Sequence, residues 1–454
     1  MRTNYTRQLG LNVELNSLGL PIRDDKKSRK LKEMSKIIDE TQGVIELVMA
    51  DITTSDRAKK GRTGLSGDTI LRCLMIKHIF NDSYEELESD LKNHIGAIEF
   101  VRLPDCYAPS KQTLQKNIAA VKPETFAKIL LLLNGHAKAE GMEDGSVLRI
   151  DSTVTETLIH DPTDNSLLAD CIRVMDQLLT KVAAFPGSKI VWSAANKVTK
   201  RANRLCRKIK YCRGEDARVE FYRQLVGLTH DVVRRIQYPL KAVPLTSVEM
   251  IGWKAEVEHF LPLIARAIDQ CERRVFNNEK VPASEKIVSI FEPHTDIIIK
   301  GGRGTEFGHK INLTTGRSGL ILDISIESGN PADSEKLLPM LGRHINHYGS
   351  TPRQVAADGG YASQRNLTEA KALGVEDMAF HKKCGLKVEE MTKTKRVYRK
   401  LRNFRAGIEA NISCLKRAWG WGRCNWRGLQ HFQAYIWSSA IAYNLSVMAE
   451  LALA

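Results

Sequence analysis

The chain has 454 residues, 43% hydrophobic and 27% charged, the proportions of a soluble globular protein with room for two or three domains. Lys and Arg outnumber Asp and Glu by 68 to 53, giving a net charge of +15, which suits either a polyanionic partner or a generally basic surface. The amino-terminal MRTNYTRQLG has no apolar signal-peptide core, apolar runs such as Ile129–Leu133 are far too short for a membrane span, and the nine cysteines are scattered without a CxxC pair or zinc spacing, so a cytoplasmic protein with free thiols and no membrane partner is expected.

In chain order, residues 1–145 read as helical. Lys27–Ala50 and Ser66–Phe80 carry apolar residues at helical spacing, with Ser66 as an N-cap. Ser83 opens another helix, with Glu86 completing a capping box, and Ser110 opens a further short one after Pro109. Short capped helices in series suit a helix-turn-helix type of DNA reader, or equally a helical packing or dimerisation domain. Val147–Ile150 then reads as a strand ending at Asp151. Residues 166–285 return to helix, best over Leu167–Val182, Ala217–Arg235 and Val248–Val275.

Strands resume at Ile297–Ile299, Phe307–Leu313 and Leu320–Ile326, with a turn over Thr315–Gly319. Asp333–Tyr348 is a predicted helix, Gln354–Ala357 a strand ending at Asp358, Gln364–Leu373 a helix and Met378–Phe380 a strand. A basic stretch, Lys382–Arg402, leads to helices Phe404–Trp419 and Leu429–Leu451. With the helical block removed and Ile297–Ile299 set aside, this order resembles an RNase H-like α/β fold. The expected domains are a helical amino-terminal domain (1–145), DNA-binding or packing, an RNase H-like domain (146–165 with 286–454) and a helical insertion (166–285).

Three carboxylates stand out. Asp151, in Arg149-Ile150-Asp151-Ser152-Thr153, and Asp358, in Asp358-Gly359-Gly360-Tyr361, both follow apolar runs, and the ends of strands are where α/β sites gather. The two glycines are expected to let the backbone turn sharply. Glu409 lies on a later helix, four residues after Arg405 and seven before Lys416, which puts the three side chains on roughly one face. Hard carboxylate oxygens from separate elements can hold two divalent ions about 3.5–4 Å apart for phosphodiester chemistry. Taken singly, each has an ordinary reading: a cap, a turn former, or an ion-paired surface helix. Their order and element types together are much more specific.

Here the sequence resembles the bacterial insertion-sequence DDE transposases that carry a Tyr/Arg/Glu/Lys signature. Arg405, Glu409 and Lys416 match the last three signature positions, and Arg402 stands where the family has Tyr. The segments at Asp151 and Asp358 resemble the family's two aspartate motifs. Phe307-Gly308-His309-Lys310, and Gly329-Asn330 with Asp333, resemble the stretches between them. Gly61-Arg62-Thr63-Gly64, Ser83-Tyr84-Glu85-Glu86-Leu87 and Pro109-Ser110-Lys111-Gln112-Thr113-Leu114 resemble its amino-terminal part. The resemblance implies Asp151, Asp358 and Glu409 as catalytic ligands of two Mg²⁺ or Mn²⁺ ions. It implies DNA contacts at Arg405, Lys416, Arg402, Lys400 and Lys111. It further implies cleavage and strand transfer on terminal inverted repeats and target DNA, a homodimer in synapsis, and a bacterial protein found on the nucleoid when DNA-bound. Another RNase H-like nuclease or resolvase, or a non-catalytic DNA-binding protein derived from a transposase, are the alternatives.

Lys197–Arg213 is a dense cationic run on a helical pattern, either a solvated face or a phosphate-binding one. Trp419, Trp421 and Trp426 are expected mainly in core packing, with base stacking by one of them as the sharper idea. His309 is expected to be structural.

Overall fold

A computed structural model describes residues 26–53, 64–103, 108–186, 188, 190–242, 246–299, 304–382 and 384–454. The Gly61-Arg62-Thr63 motif, the amino-terminal decapeptide and Lys383 lie outside these. The chain divides into two compact units, Met1–Glu156 with His309–Ala454, and Thr157–Gly308.

Among the described residues of the first unit seven helices precede the sheet. They are α1 (Lys26–Glu40), α2 (Val44–Ile52), α3 (Gly67–Phe80), α4 (Tyr84–Asn93), α5 (Ile95–Val101), α6 (Lys111–Ile118) and α7 (Pro123–Ala139). The expected helix over Lys27–Ala50 is thus two, broken at Gly43, whose φ of 85° lies in the left-handed region. The sequence's capping signals are realised. Ser66 Oγ accepts from the Thr69 amide, Ser83 and Glu86 form a reciprocal capping box, and Ser110 Oγ accepts from Thr113.

Helix α3 is buried on every side from Gly67 to His78. It holds a fully buried Arg72, which donates to Asp68 (2.5 Å) and Asp39 (2.7 Å). A helix so enclosed has no face to offer a DNA groove. Helix α16 (Leu429–Ala452), buried around most of its circumference from Phe432 to Ala449, packs on α7, α1 and α3. The amino-terminal helices therefore share one continuous core with the α/β part. The expected division at residue 145 has no counterpart in this packing, since the apolar periodicity of α3 does not say which partner covers it.

The sheet runs β3–β1–β5–β6, with β4 also pairing β3. Strands β1 (Val147–Glu156), β5 (Gln354–Ala357) and β6 (Asp377–Phe380) are parallel. Strands β3 (Thr305–Thr315) and β4 (Ile321–Ile326) are antiparallel. Helix α12 (Leu337–Tyr348) connects β4 to β5, α13 (Gln364–Ala372) connects β5 to β6, and α14 (Val388–Met391) and α15 (Lys395–Ala418) follow. Apart from the single turn of α14, which the sequence reading lacks, this is the element order the sequence predicts. Parallel β1 and β5 are buried runs, Leu148 and Ile150 against Val355 to Ala357. Strand β4 is pegged from outside: the Ile321 amide donates to Asn444 Oδ1 (2.9 Å), and Asn134 Nδ2 donates to the Ile321 and Leu322 carbonyls. These buried amides satisfy backbone groups that would otherwise be orphaned.

The second unit holds α8 (Asp164–Ala183), α9 (Lys197–Tyr211), α10 (Glu215–Ala242) and α11 (Val248–Val275), with an apolar core of its own. Buried Asp176 pins the chain entering α9, accepting from Trp192 Nε1, the Asn196 amide and Thr199 Oγ1. Strand β2 (Asp296–Ile299), set aside when the sequence is matched to the RNase H-like order, pairs antiparallel with residues 305–308 at the start of β3.

Candidate active site

Asp151 does not end its strand as the apolar run suggests. β1 continues to Glu156, and it is the parallel pairing with β5 that stops at Ile150 and Ala357. Asp151 is the next residue along β1, and Asp358 is the next along β5, its amide donating to the Ile150 carbonyl at 3.3 Å. Register thus sets the two aspartates side by side. Glu409 comes from α15, which packs against β1, β5 and β6.

The three carboxylates meet at one guanidinium. Arg405 Nη2 lies 2.6 Å from Asp151 Oδ2 and 3.1 Å from Asp358 Oδ1, and Nη1 lies 2.5 Å from Glu409 Oε1. The Arg405 side chain is buried, Asp358 is partly exposed and Glu409 is mostly exposed, with 63% of its side chain accessible. Burial pushes the Asp151 carboxyl up to about 6, against the pull of Arg405 and the Ser152 amide, and with a smaller upward push from Asp358 and Glu409. Arg405 Nε is buried with no hydrogen-bond partner, so the guanidinium is satisfied only on its carboxylate side.

Arg149, to which the sequence pattern assigns no role, sets the position of α15. Its side chain leaves β1 to donate to Thr315 Oγ1 (2.9 Å), the Phe404 carbonyl (3.3 Å) and Asn411 Oδ1 (2.8 Å), with the guanidinium over the Phe404 ring. Gly407 makes this possible, because a Cβ there would sit 1.9 Å from Arg149 Nη1. A glycine in the middle of a helix is the one sequence signal that could have pointed to this close approach.

The Asp358 turn is held from beneath. Gly359 and Gly360 form a 3-10 turn without positive φ, contrary to the expected role of freeing the backbone. They are needed for space: a Cβ on Gly359 would lie 2.7 Å from Lys382 Cβ, and one on Gly360 would lie 2.7 Å from Asp333 Oδ2. Asp333 pairs with buried Lys310 (2.7 Å), which also donates to the Pro331 carbonyl. Tyr361 donates to Asn312 Oδ1 (2.5 Å), and Asn312 donates to Glu327 (2.8 Å). His309 is buried, its Nδ1 at 3.2 Å from the Glu327 carbonyl and its ring against Phe432, the structural role expected. These motif residues therefore brace the turn.

Of the other expected residues, Lys400 and Arg402 are exposed on the first half of α15, and Lys416 is half-buried in its last turn. The helix starts well before Phe404, so the end of the basic stretch is its first turns. Lys111 is half-buried at the start of α6, 3.3 Å from Glu85. Trp421 is fully buried and donates to Ser439, while Trp419 and Trp426 are half-buried against Tyr443 and Tyr435.

A mixed sheet with two aspartates at adjacent strand positions and a glutamate on a packed helix defines an α/β protein with a carboxylate-triad site. Residues 290–445 match the family model described as the transposase DDE domain, which supports an insertion-sequence DDE transposase family and fits an RNase H-like core. The matched stretch contains Asp358, Arg405, Glu409 and Lys416 and begins downstream of the four helices of the second unit. No curated protein and no solved structure matches the chain. Among the described residues no helix is long and apolar enough to cross a membrane.

Proposed function

We propose that the chain is a DNA transposase that cleaves and joins strands at the site formed by Asp151, Asp358 and Glu409. The observation that carries this reading is the convergence of three carboxylates, from two strands and a helix, on one arginine. Their chemistry suits a pair of hard divalent ions, magnesium or manganese, since all the donors are carboxylate oxygens with no thiolate or imidazole among them. Among the described residues no three such side chains stand at metal-holding distances, and the Arg405 guanidinium takes up the space between these three. Arg405 supplies the positive charge that balances them.

Held by Asp151, Asp358 and Glu409, two divalent ions would supply the charge that activates an attacking oxygen and stabilises a leaving oxygen on phosphorus. The chain's own residues do the rest. Asp151, on rigid β1, and Asp358, on a braced turn, give ligands that need little reorganisation. Glu409 is accessible and adds the third. Arg405 would offer its planar fork to a DNA phosphate beside the carboxylates, with Lys416 as a second cation on the same helix. Lys400, Arg402 and Lys111 extend the interaction along the DNA backbone. The amino-terminal helices hold the terminal inverted repeats, and two copies bring two ends together on target DNA.

Asp358→Asn tests this directly, because the amide keeps the shape and loses the charge a hard cation needs. Cleavage of end-containing DNA should be abolished while gel-shift affinity stays within about twofold. Cleavage near the wild-type rate in Mg²⁺ would refute the reading.

A further inference from the structure

We infer that helix α9 is a second DNA-binding surface, a phosphate-tracking face built into the second unit and distinct from the carboxylate site. The inference rests on the reading of the protein as a DNA transposase.

Helix α9 spans 15 residues, KVTKRANRLCRKIKY, with no acidic residue. At 100° per residue its side chains separate cleanly. Val198, Ala202, Leu205 and Ile209 form one stripe, with Ala202, Leu205 and Ile209 buried in the core of the unit. Lys197, Lys200, Arg201, Arg204, Arg207 and Lys208 fall within an arc of about 120° on the other side. All six are exposed.

Several cations elsewhere in this unit have acidic neighbours. Arg173 pairs with Asp170, Lys181 with Glu256, Arg223 with Glu220, and Arg273 with Asp269, Glu279 and Glu285. On α9, among the described residues, none of the six has an ion pair. Lys208 instead has its ammonium 5.1 Å from the centre of the Phe221 ring. Like charges three and four residues apart oppose the helix they sit on. A stripe that keeps six of them in register is therefore a liability in the free protein, relieved only by an anionic partner.

The spacing favours duplex DNA. From Lys197 to Lys208 the helix rises about 16.5 Å, so the six cations lie about 3.3 Å apart on average, close to the roughly 3.4 Å of axis per phosphate along one DNA strand. An anionic membrane would require an exposed apolar face beside the cations, and the apolar face of α9 is in the core. Backbone recognition of this kind carries no sequence information and positions the duplex.

The test uses full-length protein and a duplex of arbitrary sequence, with anisotropy read across a salt series. In K200Q/R201Q/R204Q/K208Q the slope of log affinity against log salt should flatten by about 3.6, at about 0.9 for each phosphate no longer neutralised. Should that variant fail to melt cooperatively, K197Q/R207Q should flatten it by about 1.8. A change of less than about 0.5 in the folded variant would overturn the proposal. So would an unchanged DNA slope accompanied by loss of binding to phosphatidylserine vesicles. Folded wild-type protein that binds no duplex at any salt would overturn the transposase reading and this proposal together, whereas binding with a slope shared by the variant overturns the α9 assignment alone.

Discussion

Arg405→Ala removes the one positive charge shared by the three carboxylates, and its cost can be worked from their burial. Stripping one partner from a buried pair commonly costs about 3–5 kcal/mol. Here only Asp151 is truly buried, since Asp358 and Glu409 keep 37% and 63% of their side chains exposed and can be solvated. Asp151 also has an escape, because it can take up a proton. Its folded value of about 6 against 3.8 in the free residue already opposes folding by about 3 kcal/mol at pH 7, in the absence of metal. Without Arg405 the value rises further. Once it passes 7 the carboxyl is neutral at that pH, so the extra penalty stops near 1.4 kcal/mol.

A group whose folded value is raised contributes its full stability below the unfolded value and loses it as pH rises through the folded one. The stability deficit of the variant should therefore be about 1–2 kcal/mol at pH 7 and shrink toward pH 4. Urea unfolding of both proteins across this range, with and without Mg²⁺, measures it. Mg²⁺ should stabilise the variant more than the wild type, because the ion restores the missing charge. A loss above about 4 kcal/mol that is independent of pH would show that Arg405 holds the fold through packing and that the charge argument is wrong.

Three further outcomes are expected. Lys416→Ala should slow strand transfer at least about tenfold, or about 1.4 kcal/mol of transition-state stabilisation, and rates within about twofold at saturating Mg²⁺ and DNA would contradict the phosphate-clamp role. His78 is buried with Nε2 at 2.8 Å from Ser438 Oγ, and burial, aided by Lys77, brings it down to about 3. A depressed value means that stability present above pH 6.5 is lost as pH falls toward 3. His78→Gln should therefore remove about 2 kcal/mol of acid sensitivity between pH 6.5 and 5, and identical pH profiles in urea unfolding would refute it. Gly407→Ala should displace Arg149 and cost about 1–3 kcal/mol, while lowering cleavage more than Arg149→Lys does. Wild-type melting and cleavage would show that the close approach at Gly407 is not needed.

How much was legible in the sequence depends on how local the cause is. The capping box at Ser83 and Glu86 needs four residues, and it forms as read. β5 and β6 are short buried runs bounded by turns, and β5 falls within its predicted limits. The signature spacing placed Glu409 and Arg405 on one helix face, because a helix period is a local rule. Three matters lay beyond that reach. The first is register: two apolar runs do not say which residue of one strand faces which of the other, yet the pairing of Ile150 with Ala357 sets Asp151 beside Asp358. The second is close approach. The sequence suggested backbone freedom at Gly359 and Gly360, whereas Lys382 and Asp333 leave no room for a side chain there. The third is charge balance. The offset from Arg405 to Glu409 allows a surface ion pair or a phosphate clamp, and neither reading includes two aspartates from the sheet. Only the fold brings those carboxylates to the same guanidinium. That arrangement gives Arg405 a charge-balancing role toward all three carboxylates, which the offset to Glu409 alone does not reveal.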